Sequence, residues 1–158
     1  MSKKICVIGG GRWGQNHILT LFQMGNLGRI VEANPNRLYE LLAQYPVKGF
    51  RDIDEALSEH FDGFTIAAPA PLHFEIAKKV LEGGKSVLVE KPMTLSAASS
   101  KELVEIAKKN NAQLMVGHLL LFHPAIRKIK ELINTGKIGE LYYIYSNRLN
   151  LGTVRTEE

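Results

Sequence analysis

The chain has 158 residues, of which 45% are hydrophobic and 23% charged, the balance of an ordinary folded globular domain. No apolar run reaches the roughly 20 residues that a membrane span needs, so no membrane partner is expected. The net charge of +4 is spread over separate helix faces (Lys78-Lys79, Lys108-Lys109, Arg127 with Lys128 and Lys130), which argues against a nucleic-acid partner, and the lone Cys6 with no signal-peptide pattern fits the reducing cytoplasm.

The first element is the apolar run Ile5 to Ile8, which reads as a buried strand. It runs into Gly9-Gly10-Gly11-Arg12-Trp13-Gly14 and then a helix with Ile18, Leu21, Phe22 and Gly25 at core spacing. Gly9, Gly11 and Gly14 fit the spacing G-x-G-x-x-G. Gly9 allows a tight turn, Gly11 lets backbone approach a pyrophosphate, and Gly14 lets helix and strand pack closely. The first N–H groups of the helix then face the phosphates. Glycine-rich turns are common; the strand before and the helix after give this one its meaning.

Arg29 to Ala33 reads as a second strand, and Asn34-Pro35-Asn36 opens a helix with a capping residue and a proline in its first turn. Lys48-Gly49-Phe50 fits a short third strand, and Asp52 caps the next helix. Gly63 to Ala68 is a buried-strand pattern stopped by Pro69 and Pro71, with a helix from about Leu72 to Leu81. Ser86 to Val89 is another strand, closed by Glu90-Lys91-Pro92. Ser96 caps a helix that carries Leu103, Ile106 and Ala107, and Gln113 to Gly117 is the next strand. Apolar strands alternating with helices predict an α/β fold: a doubly wound parallel sheet, covered on both faces, over residues 1–118.

The pattern changes over residues 119–158. Pro124 to Thr135 predicts an amphipathic helix with Ile126, Ile129 and Ile133 on one face. Glu140 to Asn150 reads as one long β-prone stretch. A lone aromatic strand is neither stable nor safe from aggregation. The expectation is therefore that residues 119–158 begin a second, α+β domain that is incomplete here, or that the strand pairs with another copy.

Several residues carry chemistry. Glu32 lies 18 residues beyond Gly14 at a strand end, where a carboxylate accepts hydrogen bonds from adenosine ribose hydroxyls and repels a 2′-phosphate, favouring NAD over NADP. Arg37 is the residue that could grip such a phosphate, though a solvated surface charge is the plainer reading. Pro69 and His73 follow a strand end, where open α/β sheets bind ligands; His73 either touches the ligand or serves the structure. Lys91 brings a donor and a positive charge to the same edge, suited to polarising a reacting hydroxyl or relaying its proton. Pro92 fixes the backbone beside it and permits a cis bond.

Taken together, these pieces resemble the Gfo/Idh/MocA family of NAD(P)-dependent sugar oxidoreductases. The likeness rests on the glycine turn with Arg12, Trp13, Asn16 and His17, on Asn34-Pro35-Asn36-Arg37, on Pro69 with His73, on Val87 to Pro92, on Val116-Gly117-His118 and on Gly136 to Glu140. It covers almost the whole chain, and Glu90-Lys91-Pro92 is its most specific piece. The resemblance implies a Rossmann domain binding NAD, with Lys91 an active-site residue near nicotinamide and substrate. It implies cofactor contacts from Gly9, Gly11, Arg12, Trp13, Gly14, Glu32, Pro69, His73, Glu90 and Lys91. The tail from Ser146 to Gly152 looks like the branch acting on nucleotide-linked N-acetyl sugars, in which Arg148 and Asn150 face the substrate. Members of the family run to roughly twice this length, with a second domain whose sheet supports homo-oligomers and an aspartate–histidine pair that would fall beyond Glu158. The chain alone is then expected to bind cofactor better than it turns over substrate. A cofactor-sensing or scaffold protein without catalysis is the alternative reading.

Overall fold

The computed structural model describes residues 3–147 and Leu149. Six strands, β1 (Ile5–Ile8), β2 (Leu27–Val31), β3 (Gly49–Phe50), β4 (Gly63–Ile66), β5 (Val87–Val89) and β6 (Leu114–Val116), form one sheet in the order β3-β2-β1-β4-β5-β6. Every pairing is parallel. The order reverses between β1 and β4, the point at which doubly wound sheets open a crevice beyond the strand ends.

Five helices fill the crossovers: α1 (Arg12–Gln23), α2 (Pro35–Gln44), α3 (Ile53–Leu57), α4 (His73–Glu82) and α5 (Ala97–Lys109). Side-chain alternation along β1 divides the core in two. Val7 joins Ile18, Ile30, Leu38 and Leu41, so α1 and α2 cover one face. Cys6 and Ile8 join Ala77, Val80, Leu81, Leu103 and Ala107, so α4 and α5 cover the other. Buried on both faces, the strands need no polar alternation.

Local chemistry sets the helix starts. The Asn34 side chain accepts from the Asn36 and Arg37 N–H groups, Asp52 from Asp54 and Ser96 from Ser99. Phe22 and the start of α4 differ from expectation. Phe22 sits at core spacing yet is 42% exposed, packed edge-on against Tyr45 at 5.3 Å; only Ile18 and Gly14 of α1 are buried, because β1 and β2 present a narrow stripe. The segment after the strand β4 first makes a short 3-10 turn over Ala70–Leu72, so α4 starts at His73.

The chain separates into two compact units, residues 1–117 and 118–158. The second holds a 3-10 turn, Leu119–Phe122, and helix α6 (Pro124–Asn134), opened by Pro124 with the His123 side chain accepting from Ala125 N–H. Ile126 and Ile129 on α6 are exposed. Of the strand expected from Glu140 to Asn150, residues 141–147 have no regular structure, and Arg148 and Asn150 lie outside the described residues. A strand needs a neighbour for its N–H and C=O groups, and β propensity alone does not supply one.

A candidate active site at the carboxyl edge of the sheet

The glycine turn leaves β1 and enters α1. Gly9 has a φ of +95°, and a Cβ there would come within 2.7 Å of the Ala67 carbonyl. A Cβ on Gly14 would lie 1.8 Å from the Gly9 carbonyl oxygen, so glycine is required for the helix to sit this close. Gly11 differs: a Cβ there would meet nothing within 4 Å. Its small size serves the space above it, not the packing beneath.

Sequence reasoning passed over Gly10, the residue between two motif glycines. A Cβ on it would fall 2.4 Å from Leu41 Cδ1 and 3.1 Å from Glu32 Oε2. The signal was available as a third consecutive glycine, but the reason for it lies on α2.

Gly11 is the N-cap of α1, no side chain caps that end, and its first turn holds no acidic residue. The first-turn N–H groups and the helix dipole thus meet no competing carboxylate from the helix's own first turn. Arg12 and Trp13 are exposed in that turn. Open space over Gly11 and an uncapped helix start fit the pyrophosphate of a dinucleotide.

Glu32 follows β2 and is turned inward. Its Oε2 accepts the Gly10 N–H at 2.7 Å and its Oε1 accepts the Asn34 N–H at 2.8 Å. Arg37 stands 3.6 Å from Oε2, and the Glu32 side chain is 8% exposed. The carboxylate therefore braces the glycine turn, a role the sequence reading did not assign to it.

Pro69 lies exposed beyond β4. His73 does not reach out beside it: the residue is 1% exposed. Its Nδ1 lies 2.7 Å from the Pro92 carbonyl oxygen and its Nε2 lies 2.8 Å from that of Ala68. Each ring nitrogen thus faces a backbone carbonyl oxygen, and the tautomer decides which of the two bonds it donates. With both nitrogens turned to backbone carbonyls, His73 has the structural one of the two roles that the sequence leaves open for it.

Glu90, after β5, is 6% exposed. Its Oε1 lies 2.8 Å from His17 Nε2 on α1, and its Oε2 accepts the Lys91 N–H at 3.3 Å. Lys91 is exposed at the strand end, and its peptide bond to Pro92 is cis. Among the described residues its ammonium joins no ion pair. The structure thus brings Gly9 to Gly14, Pro69, Glu90 and Lys91 to the carboxyl ends of β1, β4 and β5. Arg148 and Asn150 lie outside the described residues. No group of metal-ligating side chains occurs among the described residues, and none of their helices is long and apolar enough to cross a membrane.

The profile of the oxidoreductase family Gfo/Idh/MocA, described as an NAD-binding Rossmann fold, matches residues 3–118. The chain belongs to this family. It is 30% identical over 143 residues to UDP-N-acetylglucosamine 3-dehydrogenase of Acidithiobacillus ferrooxidans, covering 90% of this chain and 44% of the relative. Inositol 2-dehydrogenase of Corynebacterium glutamicum is 28% identical over 146 residues, covering 89% and 43%. The crystal structure of the WlbA dehydrogenase from Bordetella pertussis, in complex with NADH and UDP-GlcNAcA, superposes with a TM-score of 0.85 at 26% identity over 90% of this chain and 45% of that one. The chain spans about two fifths of the length of these relatives. Its Rossmann domain and its NAD cofactor are those of the family.

Proposed function

We propose that this Gfo/Idh/MocA chain supplies the NAD-binding half, and the active-site lysine, of a dehydrogenase acting on a ring hydroxyl of a sugar, in particular a nucleotide-linked sugar. The observation that carries the reading is Lys91: an exposed ammonium without an ion-pair partner among the described residues, at the end of β5, along the same strand-end edge as the glycine turn. The relatives named as UDP-N-acetylglucosamine 3-dehydrogenase and as WlbA with UDP-GlcNAcA support the nucleotide-sugar class.

Bound NAD supplies a hydride acceptor at nicotinamide C4. The first-turn N–H groups of α1 bind the pyrophosphate, and Arg12 and Trp13 flank it. Glu32, already holding two backbone donors, would present its carboxylate to the adenosine ribose, where its charge would oppose a 2′-phosphate. Pro69 lines the edge at the nicotinamide end. Lys91 would hydrogen-bond the reacting hydroxyl and stabilise charge on that oxygen as its proton passes to solvent or to a base of the substrate domain. Residues 119–158 begin the substrate and oligomerisation domain in this reading, with Arg148 and Asn150 toward the sugar, and the setting is the cytoplasm.

Calorimetric titration with NADH and NADPH tests the cofactor half; the expected result is NADH bound about tenfold or more tightly, and an NADPH preference would remove the Glu32 argument. Oxidation of UDP-N-acetyl sugars, followed as NADH absorbance, tests the rest. Lys91→Ala should cut turnover at least about 100-fold with little change in NADH affinity. NADH binding with no sugar oxidised by any enzyme carrying this domain would instead favour a sensor role.

A further inference from the structure

Lys91 sits on a turn whose neighbours on both sides are held by histidine rings. The residue before it, Glu90, meets His17 Nε2 at 2.8 Å and accepts the Lys91 N–H at 3.3 Å. The Glu90 carboxylate lies so close over Gly117 that a Cβ there would come within 3.1 Å of it. The residue after it, Pro92, meets His73 Nδ1 through its carbonyl at 2.7 Å, and the same ring holds the Ala68 carbonyl at the exit of β4. Both histidines are distant in sequence from the turn, 73 and 19 residues from their partners.

We propose that His17 and His73 are positioning residues for Lys91. A lysine head rides on a flexible four-carbon stem, so the only rigid control over where it points is its backbone. Here that backbone is tied at residue 90 to α1 and at residue 92 to β4 and α4. The tie at residue 90 has a second consequence. His17 stands on the helix whose first turn binds the pyrophosphate, so the phosphate end of the cofactor site and the lysine end are joined through His17 and Glu90. The arrangement resembles the outer partners that orient ligands at a metal site, in that the residue doing chemistry is aimed by others that do none. This inference rests on the reading of Lys91 as an active-site residue.

The test uses the chain labelled for NMR, with the Lys91 amide as reporter and NADH affinity as the control for folding. The two rings can be replaced one nitrogen at a time. A glutamine amide reaches about as far as histidine Nε2, and an asparagine amide about as far as Nδ1. His17→Gln should therefore keep the Lys91 amide signal, its exchange protection and its shift on NADH addition, whereas His17→Leu should move the signal and lower the protection about tenfold or more. At residue 73 the order reverses: His73→Asn should keep the Lys91 signature through Pro92, and His73→Gln should lose it while keeping the Ala68 contact. NADH affinity should stay within about threefold in all four. The proposal is overturned if His17→Leu leaves the Lys91 amide as in wild type, or if Gln and Asn at residue 73 act alike. A Lys91 signal that ignores NADH in the wild type sinks the active-site reading of Lys91, and the ligand-free spectra still decide the positioning.

Discussion

The four glycines of the turn do different work, and substitution should separate them. Gly11 has an ordinary φ of −67° and open space where a Cβ would go. Gly11→Ala should leave the melting temperature within about 2 °C and weaken NADH binding about tenfold, because the methyl occupies room needed by the pyrophosphate. Gly14→Ala should act through the fold, costing about 1–3 kcal/mol or more in denaturant titration, since its Cβ would collide with the Gly9 carbonyl. Equal effects on binding and stability in both variants would contradict this division. Cys6 offers a second test at the same scale. Burial pushes its thiol from 9.0 up to about 12, with Arg29 opposing and Glu59 adding to the rise. The folded state keeps a proton that the unfolded chain releases, so this contribution is complete below about pH 9 and is lost as pH rises toward 12, by at most about 1.4 kcal/mol per unit. Urea midpoints measured from pH 8 to 11 should fall more steeply for the wild type than for Cys6→Ala.

At the scale of elements, the caps are the separable contributions. Ser96 Oγ accepts the Ser99 N–H at 3.1 Å, and α5 places Leu103 and Ala107 in the core. Ser96→Ala should lower stability by about 1 kcal/mol, read as a shift in urea midpoint at unchanged slope, and leave NADH binding alone. The elements also show how far local pattern reaches. Asn34, Asp52 and Ser96 were legible as caps because a cap is a contact within three residues. Boundaries moved by a residue or two: β2 runs Leu27–Val31 where Arg29 to Ala33 was expected, and α4 begins at His73, after the 3-10 turn over Ala70–Leu72. The aromatic stretch from Leu141 to Tyr145 was legible as β-prone, but propensity forms no strand without a partner.

For the molecule as a whole, both core clusters are built from residues between Cys6 and Leu114, inside the first unit. The second unit has no buried apolar residue among those described, and it exposes Leu119, Leu120, Leu121, Phe122, Ile126 and Ile129. A chain cut to residues 1–117 should therefore keep its cooperative melt and its NADH affinity, and should bind less of a hydrophobic dye than the 158-residue chain. Loss of the cooperative melt on truncation would show that residues 118–158 contribute to the first core.

The sequence by itself determined the alternation of strands and helices, the glycine turn, the parallel sheet and the placing of Lys91 at a strand end. Each of these follows from periodicity or from contacts a few residues apart, which a linear reading can see. Only the tertiary structure decided where the polar side chains at that edge point. Glu32 turns in to hold Gly10, 22 residues away, His73 turns in to hold Pro92, and His17 reaches Glu90 across 73 residues. Parallel strands bring their ends together only through long crossovers, so the partners at the sheet edge come from separate βα units. Their pairing is fixed by geometry between elements and leaves no periodic trace in the chain.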